Sequence, residues 1–349
     1  MEFGLFHEFQ WSPGTGAAAA FAQSFAQVDA AERWGLDVMW LAELHFAPER
    51  SVLASPLVLA GAIAQRTRRM KIGTAVQVLP LCHPLRLAEE AATVDQISEG
   101  RLIFGVGRSG FPRTYEAYGV PYSESRERFA ETLAIVKLAW TEERFSYRGK
   151  YFSCDKVTLV PKPWQKPYPP IRIAATSPDT YAAIGALGHA AFVAARLGTL
   201  SELAPLVRSY REAYRAAGHQ GSGEVYLRVP VYVAETERQA RDEPEESIMH
   251  FFRYIGERLA DSAAQAGARS IEQRAERAQR LQTVSYDEAL RDKMIVGTPA
   301  AVSDRLTGLR EELGLDGILA ELNPGSLIPQ ARVMNALRLL CQQVMPRFK

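Results

Sequence analysis

An acidic residue and an imidazole stand close together in the stretch Trp-Leu-Ala-Glu-Leu-His-Phe at residues 40–46. Glu43 and His45 follow a short apolar run, residues 38–42, that has the pattern of a buried strand. A carboxylate and an imidazole at the end of a strand can act as general acid and base or bind a ligand. A hydrogen-bonded structural pair is the alternative, because buried polar groups are normally paired.

Two further stretches could bind an anion or a flat ligand. Thr176, Ser177 and Thr180 follow a predicted strand and begin a predicted helix, where hydroxyls and free backbone N–H groups can hold a phosphate or simply cap the helix. Residues 105–110 read Gly-Val-Gly-Arg-Ser-Gly, but no helix begins directly after them and the expected acidic partner is absent. We therefore expect a glycine-rich strand exit that lets a flat ligand approach the backbone, and no dinucleotide-binding fold.

Histidines, cysteines and net charge exclude several classes of partner. Six histidines are scattered without an H-x-H or H-E-x-x-H pattern, so we expect no metal site. Cys82, Cys154 and Cys341 are far apart and form no C-x-x-C pair, which suits a reducing compartment. A net charge of +1, from 41 basic and 40 acidic residues, argues against nucleic acid or an anionic membrane as partner. No apolar run reaches about 18 residues, and we expect a cytoplasmic protein.

The elements that must position these residues alternate along the whole chain. Short apolar strands are each followed by a helical pattern, which is typical of a parallel sheet covered by helices. The predicted strands are residues 2–6, 38–42, 71–76, 101–106, 171–175, 191–195, 226–234 and 317–321. Eight such pairs favour one α/β domain, a (β/α)8 TIM barrel over residues 1–349, rather than a doubly wound sheet.

The chain of 349 residues is longer than a bare barrel, which takes about 250 residues. We predict insertions at about residues 107–122, 144–169 and 268–293. The first is rich in glycine, proline and aromatic residues, the second contains four prolines, and the third is charged and helical in pattern. Because the loops after the strands build the mouth of such a barrel, we expect the first and third insertions to shape the pocket.

A further indication comes from residues 34–46, 72–76, 78–80, 83–84, 95–101, 104–105, 125–126, 296–299 and 344–346. In this order and spacing they resemble the bacterial luciferase-like family of flavin-dependent monooxygenases. The resemblance runs through the full length, which makes it far more specific than any single motif. It implies a TIM barrel and a two-component monooxygenase, in which a separate NAD(P)H:flavin reductase supplies reduced FMN. The reduced FMN would react with O2 at C4a to give a hydroperoxide that oxygenates a small organic substrate.

The resemblance also implies which residues hold the cofactor. They are Ala75, Val76, Arg108, Thr176, Ser177 and Thr180. Among these, Arg108 and Ser177 would bind the FMN phosphate, because the guanidinium offers a fork of donors. The peptide bond between Ala75 and Val76 would be cis and lie beneath the flavin ring.

Two positions depart from the luciferases. Leu44 replaces the first of two adjacent histidines, and Gly107 replaces a cysteine close to the flavin. We therefore expect no light emission and assign acid–base chemistry to His45, oriented by Glu43, with His7, a tyrosine or water as other proton carriers. The residues expected to line the substrate pocket, or simply to pack, are Phe6, His7, Trp11, Phe111 and Tyr115.

Two other functions stay open. The same barrel family includes oxidoreductases that transfer a hydride with the deazaflavin F420, and it includes a flavin-binding subunit without turnover.

Small residues at 57–64 allow close helix packing, either within the chain or at the dimer interface that the resemblance implies. We expect a homodimer. The substrate is not predicted, because pocket loops are the variable part of such barrels.

Overall fold

The computed structural model describes residues 1–12, 14–48, 50–175, 177–195, 198–263 and 271–349. Parallel strands form a closed barrel at its centre. The barrel strands are β1 Glu2–His7, β2 Val38–Leu41, β3 Lys71–Thr74, β4 Leu102–Gly107, β5 Ile171–Ala174, β6 Ala190–Ala194, β7 Val225–Val233 and β8 Gly317–Glu321. Each lies within one or two residues of its predicted range, so the predicted barrel strands are confirmed.

Neighbouring strands pair in chain order, and β8 closes the barrel against β1. Gly4 lies beside Val38 where β1 meets β2, and Phe3 lies beside Ile318 where β1 meets β8. Because these pairings are parallel, the carboxyl ends of the strands meet at one mouth, which is where TIM barrels carry their sites. The predicted (β/α)8 barrel is confirmed.

Helices follow the strands and cover the barrel. In chain order they are α1 Ala17–Arg33, α2 Pro56–Arg66, α3 Pro84–Ile97, α4 Ser125–Thr141, α5 Pro178–Ala186, α6 Leu203–Ala216, α7 Pro299–Leu313 and α8 Gln330–Leu339. The start and end of α7 follow its sequence signals. Thr298 accepts a hydrogen bond from the N–H of Ala301 at the start, and Gly314 ends the helix in the left-handed region at φ 61°.

The remaining elements lie in the connections. After β4 come the short helix Pro112–Ala117 and the 3-10 turn Tyr122–Glu124, and after α4 comes the hairpin Phe145–Arg148 with Ser153–Val157. Between β7 and α7 lie Glu237–Asp242, Glu245–Ala263, Ile271–Thr283, Tyr286–Asp292 and the short strand Ile295–Gly297. This connection already begins before residue 268, the predicted start of the third insertion. Residues 264–270 lie outside the described part of the chain.

The inside of the barrel is filled by side chains. Trp40 is fully buried there, and the Phe192 ring packs edge-on against it at 5.0 Å. A Cβ atom on Gly4 would lie 2.2 Å from the indole nitrogen of Trp40, and one on Gly73 would lie 2.1 Å from its ring. Glycine is needed at both positions to admit the indole. Space for a ligand is therefore found at the mouth and not along the axis.

Candidate active site

The Glu43–His45 pair lies just beyond the end of β2, at the mouth of the barrel. His45 Nε2 donates a hydrogen bond to Glu43 Oε1 at 2.8 Å. Both side chains are largely buried, with 10% of His45 and 4% of Glu43 exposed. Because a carboxylate accepts this bond, Nε2 carries a proton, and Nδ1 is the ring nitrogen left for a second partner.

The second carboxylate oxygen of Glu43 is held from the region after β3. Glu43 Oε2 accepts from Gln77 Nε2 at 2.6 Å and from the backbone N–H of Val78 at 2.8 Å. Cys82 Sγ lies 3.5 Å from the same Gln77 nitrogen. Burial, with a smaller contribution from the charge on Glu43, raises the pKa of the Cys82 thiol to about 12. The carboxylate is thus fixed at both oxygens, and the neighbouring thiol stays protonated at neutral pH.

Tyr118 extends the pair to a third side chain. Its hydroxyl lies 3.1 Å from His45 Nδ1, and the two rings pack edge-on with centroids 5.1 Å apart. Burial, and then the charge on Glu43, raise the pKa of the Tyr118 hydroxyl, so it is protonated and can donate to Nδ1. Sequence reasoning missed Tyr118. The signal that could have found it is its place in the aromatic-rich insertion expected to shape the pocket.

A cavity of about 340 Å³ opens beside these side chains, and Glu43, His45 and Phe111 line it. Its apolar wall consists of Leu44, Phe46, Ala47, Val78, Pro112 and Ala117. Its other polar lining residues are Arg50, Ser109, Arg113, Thr114, Tyr254, Arg258 and Asp261. The last three come from the helix Glu245–Ala263, and sequence reasoning assigned no site role to this helix.

The peptide bond between Ala75 and Val76 is cis, which confirms the prediction. Both residues are half-buried at the barrel mouth. On the neighbouring strand, a Cβ atom at Gly105 would lie 1.8 Å from the Thr74 carbonyl oxygen, and one at Gly107 would lie 2.5 Å from Val76 Cγ2. The room left by these two glycines is taken by the adjoining segment of the chain. This close packing is the reason for glycine at these two positions, and the approach of a flat ligand to the backbone of residues 105–110 stays a prediction.

Arg108 follows β4 and is half-buried. Its guanidinium donates to Ser125 Oγ, at the first residue of α4, over 3.3 Å. In the described residues no carboxylate lies within ion-pair distance of this guanidinium. Burial is the main cause that lowers the pKa of Arg108, which is the effect expected of a cation withdrawn from water. The side chain is therefore suited to bind an anion.

The start of α5 lies after the neighbouring strand. Thr180 Oγ1 accepts from the backbone N–H of Ser177 at 3.1 Å, and Ser177 Oγ donates to Asp179 Oδ1 at 2.6 Å. Arg126 pairs with the other oxygen of Asp179 at 2.5 Å. The hydrogen bonds from Ser177 and Arg126 lower the pKa of Asp179. Thr176, another residue predicted to bind the cofactor, lies outside the described residues.

Two classes of feature are absent from the ranges that the structure describes. No group of three or more His, Cys, Asp or Glu side chains is arranged there as a metal ion would require. No helix in the same ranges is both long enough and apolar enough to cross a membrane.

Residues 1–317 match the family model described as luciferase-like monooxygenase. The chain belongs to the luciferase-like monooxygenase family. One relative of this luciferase-like monooxygenase is the oxygenase component of the flavin-dependent trigonelline monooxygenase of Acinetobacter baylyi. It is 27% identical over 335 residues, which cover 91% of this chain and 87% of that protein.

Two other relatives match this chain over just over half of their own length. The uncharacterized protein y4wF of Sinorhizobium fredii is 34% identical over 52% of both chains. The F420-dependent glucose-6-phosphate dehydrogenase of Kineococcus radiotolerans is 33% identical over 54% of this chain and 57% of that protein. Among solved structures, the oxygenating constituent of 3,6-diketocamphane monooxygenase from Pseudomonas putida, in complex with FMN, shares the fold. Its TM-score is 0.82 at 22% identity, over 99% of this chain and 98% of that one.

Several residues that were expected to line the substrate pocket do not line the cavity of this luciferase-like monooxygenase. Phe6 is buried inside the barrel with the Arg228 guanidinium 3.5 Å from the centre of its ring. Trp11 donates its indole N–H to a carbonyl of its own loop at 2.5 Å. Tyr115 is fully buried, and its hydroxyl donates to the carbonyl of Arg108. Tyr115 thus supports the loop that carries Arg108, while Phe111 alone of the predicted aromatic residues reaches the cavity.

His7 is enclosed at the end of β1, outside the cavity lining. Its Nε2 lies 3.0 Å from Gln27 Oε1, and its Nδ1 accepts from the N–H of Phe9 at 2.9 Å. Burial lowers the pKa of His7 from 6.5 to about 4. The ring is therefore neutral at physiological pH, with both nitrogens occupied, and it anchors the strand end.

Proposed function

We propose that this protein is the oxygenase component of a two-component monooxygenase that uses reduced FMN and O2 to oxygenate a small organic substrate. The observation that carries the proposal is the arrangement at the mouth: an Arg108 guanidinium without a carboxylate partner among the described residues, and a Glu43–His45 pair facing a cavity. The named relative that is an oxygenase component supports the same conclusion. A separate NAD(P)H:flavin reductase would supply the reduced flavin.

The residues present fit FMN. Arg108 is half-buried without a carboxylate partner in the described residues, and the hydroxyls of Ser125, Ser177 and Thr180 lie at the starts of the helices that follow β4 and β5. Such a set of donors suits a phosphate group. Ala75 and Val76 are half-buried at the mouth and offer a small apolar surface to a planar ring.

When bound, reduced FMN supplies the electrons that activate O2. The protein's part is to orient the substrate, to keep water out and to handle protons. Glu43 holds the proton on His45 Nε2, so Nδ1 is the atom through which His45 takes up or releases a proton. Tyr118 approaches the same Nδ1 and can exchange a proton with it. The helix Glu245–Ala263 lines the outer side of the cavity, where it restricts water.

Two experiments test the proposal. The first titrates the chain anaerobically with reduced FMN and with reduced riboflavin, which lacks the phosphate. We expect FMN to bind at least about tenfold tighter, and Arg108→Ala to remove this preference while riboflavin binding stays unchanged.

The second experiment supplies 18O2 with a flavin reductase and a panel of ketones, aldehydes and aromatic compounds. Failure to bind reduced FMN, or NAD(P)H consumption without 18O in any organic product, would contradict the proposal.

Hydride transfer with F420 is the second candidate, because one relative is named as F420-dependent. The same titration distinguishes the two functions. Tight binding of F420 with negligible binding of reduced FMN would establish the second candidate in place of the first. Binding of flavin without substrate-dependent consumption of NAD(P)H would instead indicate a flavin-binding protein without turnover.

We also propose a cytoplasmic homodimer. The helix α2 carries Val58 with 72% of its surface exposed, next to the small residues predicted to allow close helix packing. An exposed apolar side chain beside small residues suits a helix contact between two copies. Light scattering should give twice the mass of one chain, and a monomer would contradict the proposal.

A further inference from the structure

The cavity beside His45 contains more positive than negative side chains. Arg50, Arg113 and Arg258 line it, against the carboxylates of Glu43 and Asp261. Two of the three arginines are neutralised. Arg50 forms a two-pronged ion pair with Glu8, with Nε 2.5 Å from Oε2, and Arg113 lies 3.5 Å from Asp261.

Arg258 differs from the other two. In the described part of the chain it forms no ion pair and no hydrogen bond. Its guanidinium lies 5.2 Å from the centre of the Tyr254 ring, and the Arg50 guanidinium lies 5.3 Å from the centre of the same ring. Arg258 is half-buried, so its N–H donors are partly withdrawn from water without protein acceptors. A carboxylate could accept two of these N–H bonds at once.

Most of the remaining wall is apolar. Leu44, Phe46, Val78 and Phe111 line the side of the cavity that carries His45. Arg258 comes from a different segment, the helix Glu245–Ala263, which brings a positive charge to this apolar space. A ligand with a negative group at one end and an apolar body at the other would match both surfaces.

We propose that the substrate is an organic anion with an apolar or aromatic body, and that Arg258 binds its carboxylate. The proposal rests on the function proposed above, since it takes the cavity as the place where substrate meets the reacting groups. Arg258 determines specificity, and the apolar wall directs the body of the substrate toward His45. Asp261 weakens anion binding, because it occupies Arg113 and repels a second carboxylate.

The test compares acids with their own uncharged amides. The probes are benzoate, cinnamate and cyclohexanecarboxylate, each with its primary amide. Binding is measured by equilibrium dialysis on the full chain, with and without FMN. We expect at least one acid to bind about tenfold tighter than its amide, the size of a charge-assisted hydrogen bond. Arg258→Gln should abolish this preference, and Arg258→Lys should retain part of it.

Matched variants on the same helix separate recognition from folding. Arg253 and Glu257 are exposed and do not line the cavity, so Arg253→Gln and Glu257→Gln should leave the preference for acids unchanged. Asp261→Asn should strengthen acid binding severalfold, an effect opposite in sign to Arg258→Gln. Equal affinity for each acid and its amide in the wild-type chain, or an intact preference in Arg258→Gln, would overturn the proposal. Because the dialysis also runs without FMN, a failure of flavin binding alone would count against the proposed function and not against this inference.

Discussion

The strand-end side of the cavity and the helix Glu245–Ala263 are built in opposite ways. At the strand ends, Glu43 uses both oxygens in three hydrogen bonds, to His45, Gln77 and the backbone of Val78. On the helix, the Asp261 carboxylate pairs with Arg113 at 3.5 Å, while 48% of the first side chain and 60% of the second stay exposed. Rigid strands are suited to hold reacting groups in position, whereas a surface helix can change its charges at little cost to stability.

The strand-end side also owes its shape to close backbone packing. Gly105 on β4 leaves room for the Thr74 carbonyl oxygen, directly before the cis peptide at Ala75–Val76. No side chain can replace glycine there without moving one of the two segments. On the helix Glu245–Ala263, by contrast, Arg258 makes no hydrogen bond or ion pair among the described residues, and its guanidinium lies 5.2 Å from the centre of the Tyr254 ring. The two sides of the cavity therefore differ in how firmly hydrogen bonds and ion pairs hold their polar side chains.

The largest effect is expected from the Glu43–His45 pair. His45→Ala should lower kcat by about 10²- to 10⁴-fold, the contribution of a general acid or base, while FMN affinity stays unchanged. Glu43→Gln should also lower kcat, because an amide no longer fixes the proton on Nε2. The control is His83→Ala, since His83 packs against Phe152 outside the cavity. Steady-state kinetics with a saturating reductase measures kcat. Full activity in His45→Ala would contradict a catalytic role and leave the Glu43–His45 pair a structural one.

The next effect concerns stability. Gly105→Ala should destabilise the fold by about 1–3 kcal/mol, because the new methyl group overlaps the Thr74 carbonyl. Gly308→Ala is the matched control, since Gly308 lies inside α7 with no atom within 4 Å of an added Cβ. That substitution should be neutral or stabilise by about 0.5–1 kcal/mol, the usual preference of a helix interior for alanine. Urea denaturation gives both values, and equal stability of the two variants would contradict the packing argument.

The enclosed His7 predicts a pH dependence at the same strand-end side. Its pKa is lowered from 6.5 to about 4 by burial, so the unfolded chain takes up a proton that the folded chain refuses. The contribution to stability is complete above pH 6.5 and is lost as the pH falls toward 4. The free energy of unfolding should therefore drop more in the wild-type chain than in His7→Gln over this interval. Burial also lowers the pKa of His189 to about 4, but His189 is present in both proteins and cancels in the comparison. Parallel pH profiles of the two proteins would exclude the effect of His7.

The smallest effect is expected on the helix side. Arg113→Ala breaks the ion pair with Asp261, and because both side chains are about half exposed, the free energy of unfolding should change by about 0–1 kcal/mol. The same variant should raise KM for an anionic substrate more than it lowers kcat. Differential scanning calorimetry checks the first expectation and steady-state kinetics the second. A loss of several kcal/mol would show that this helix is as tightly coupled to the barrel as the strand ends are.

Much of this architecture was predictable from local sequence. The apolar runs and the intervening helical patterns predicted the barrel strands, because burial on both faces selects apolar residues regardless of the partner strand. The resemblance predicted the cis bond at Ala75–Val76. Glu43 and His45 meet because they follow the end of the same strand, Leu41, by two and four positions. These features depend on short stretches of chain.

The cavity depends on contacts between distant segments, and for this reason sequence reasoning found only part of it. Tyr118 reaches His45 from 73 positions further along the chain, and the Arg258 side chain arrives from a helix inside the β7–α7 connection. No spacing rule connects either residue with residue 45, although Tyr118 lies in the aromatic-rich insertion that was expected to shape the pocket. His7 shows the reverse case, since a histidine at a strand end suggested chemistry and the fold enclosed it instead.

The sequence by itself determined the (β/α)8 barrel, the family and the strand ends at which Glu43, His45 and Arg108 stand. The reason is that strand and helix patterns, caps and glycines act over a few residues. Only the tertiary structure decided which polar groups share one cavity, which histidine is enclosed and which arginine lacks a carboxylate partner among the described residues. Burial, pKa shifts and charge balance depend on what packs around a side chain, and those neighbours come from other segments of the chain: Gln27 lies 20 positions from His7, and Tyr118 lies 73 positions from His45.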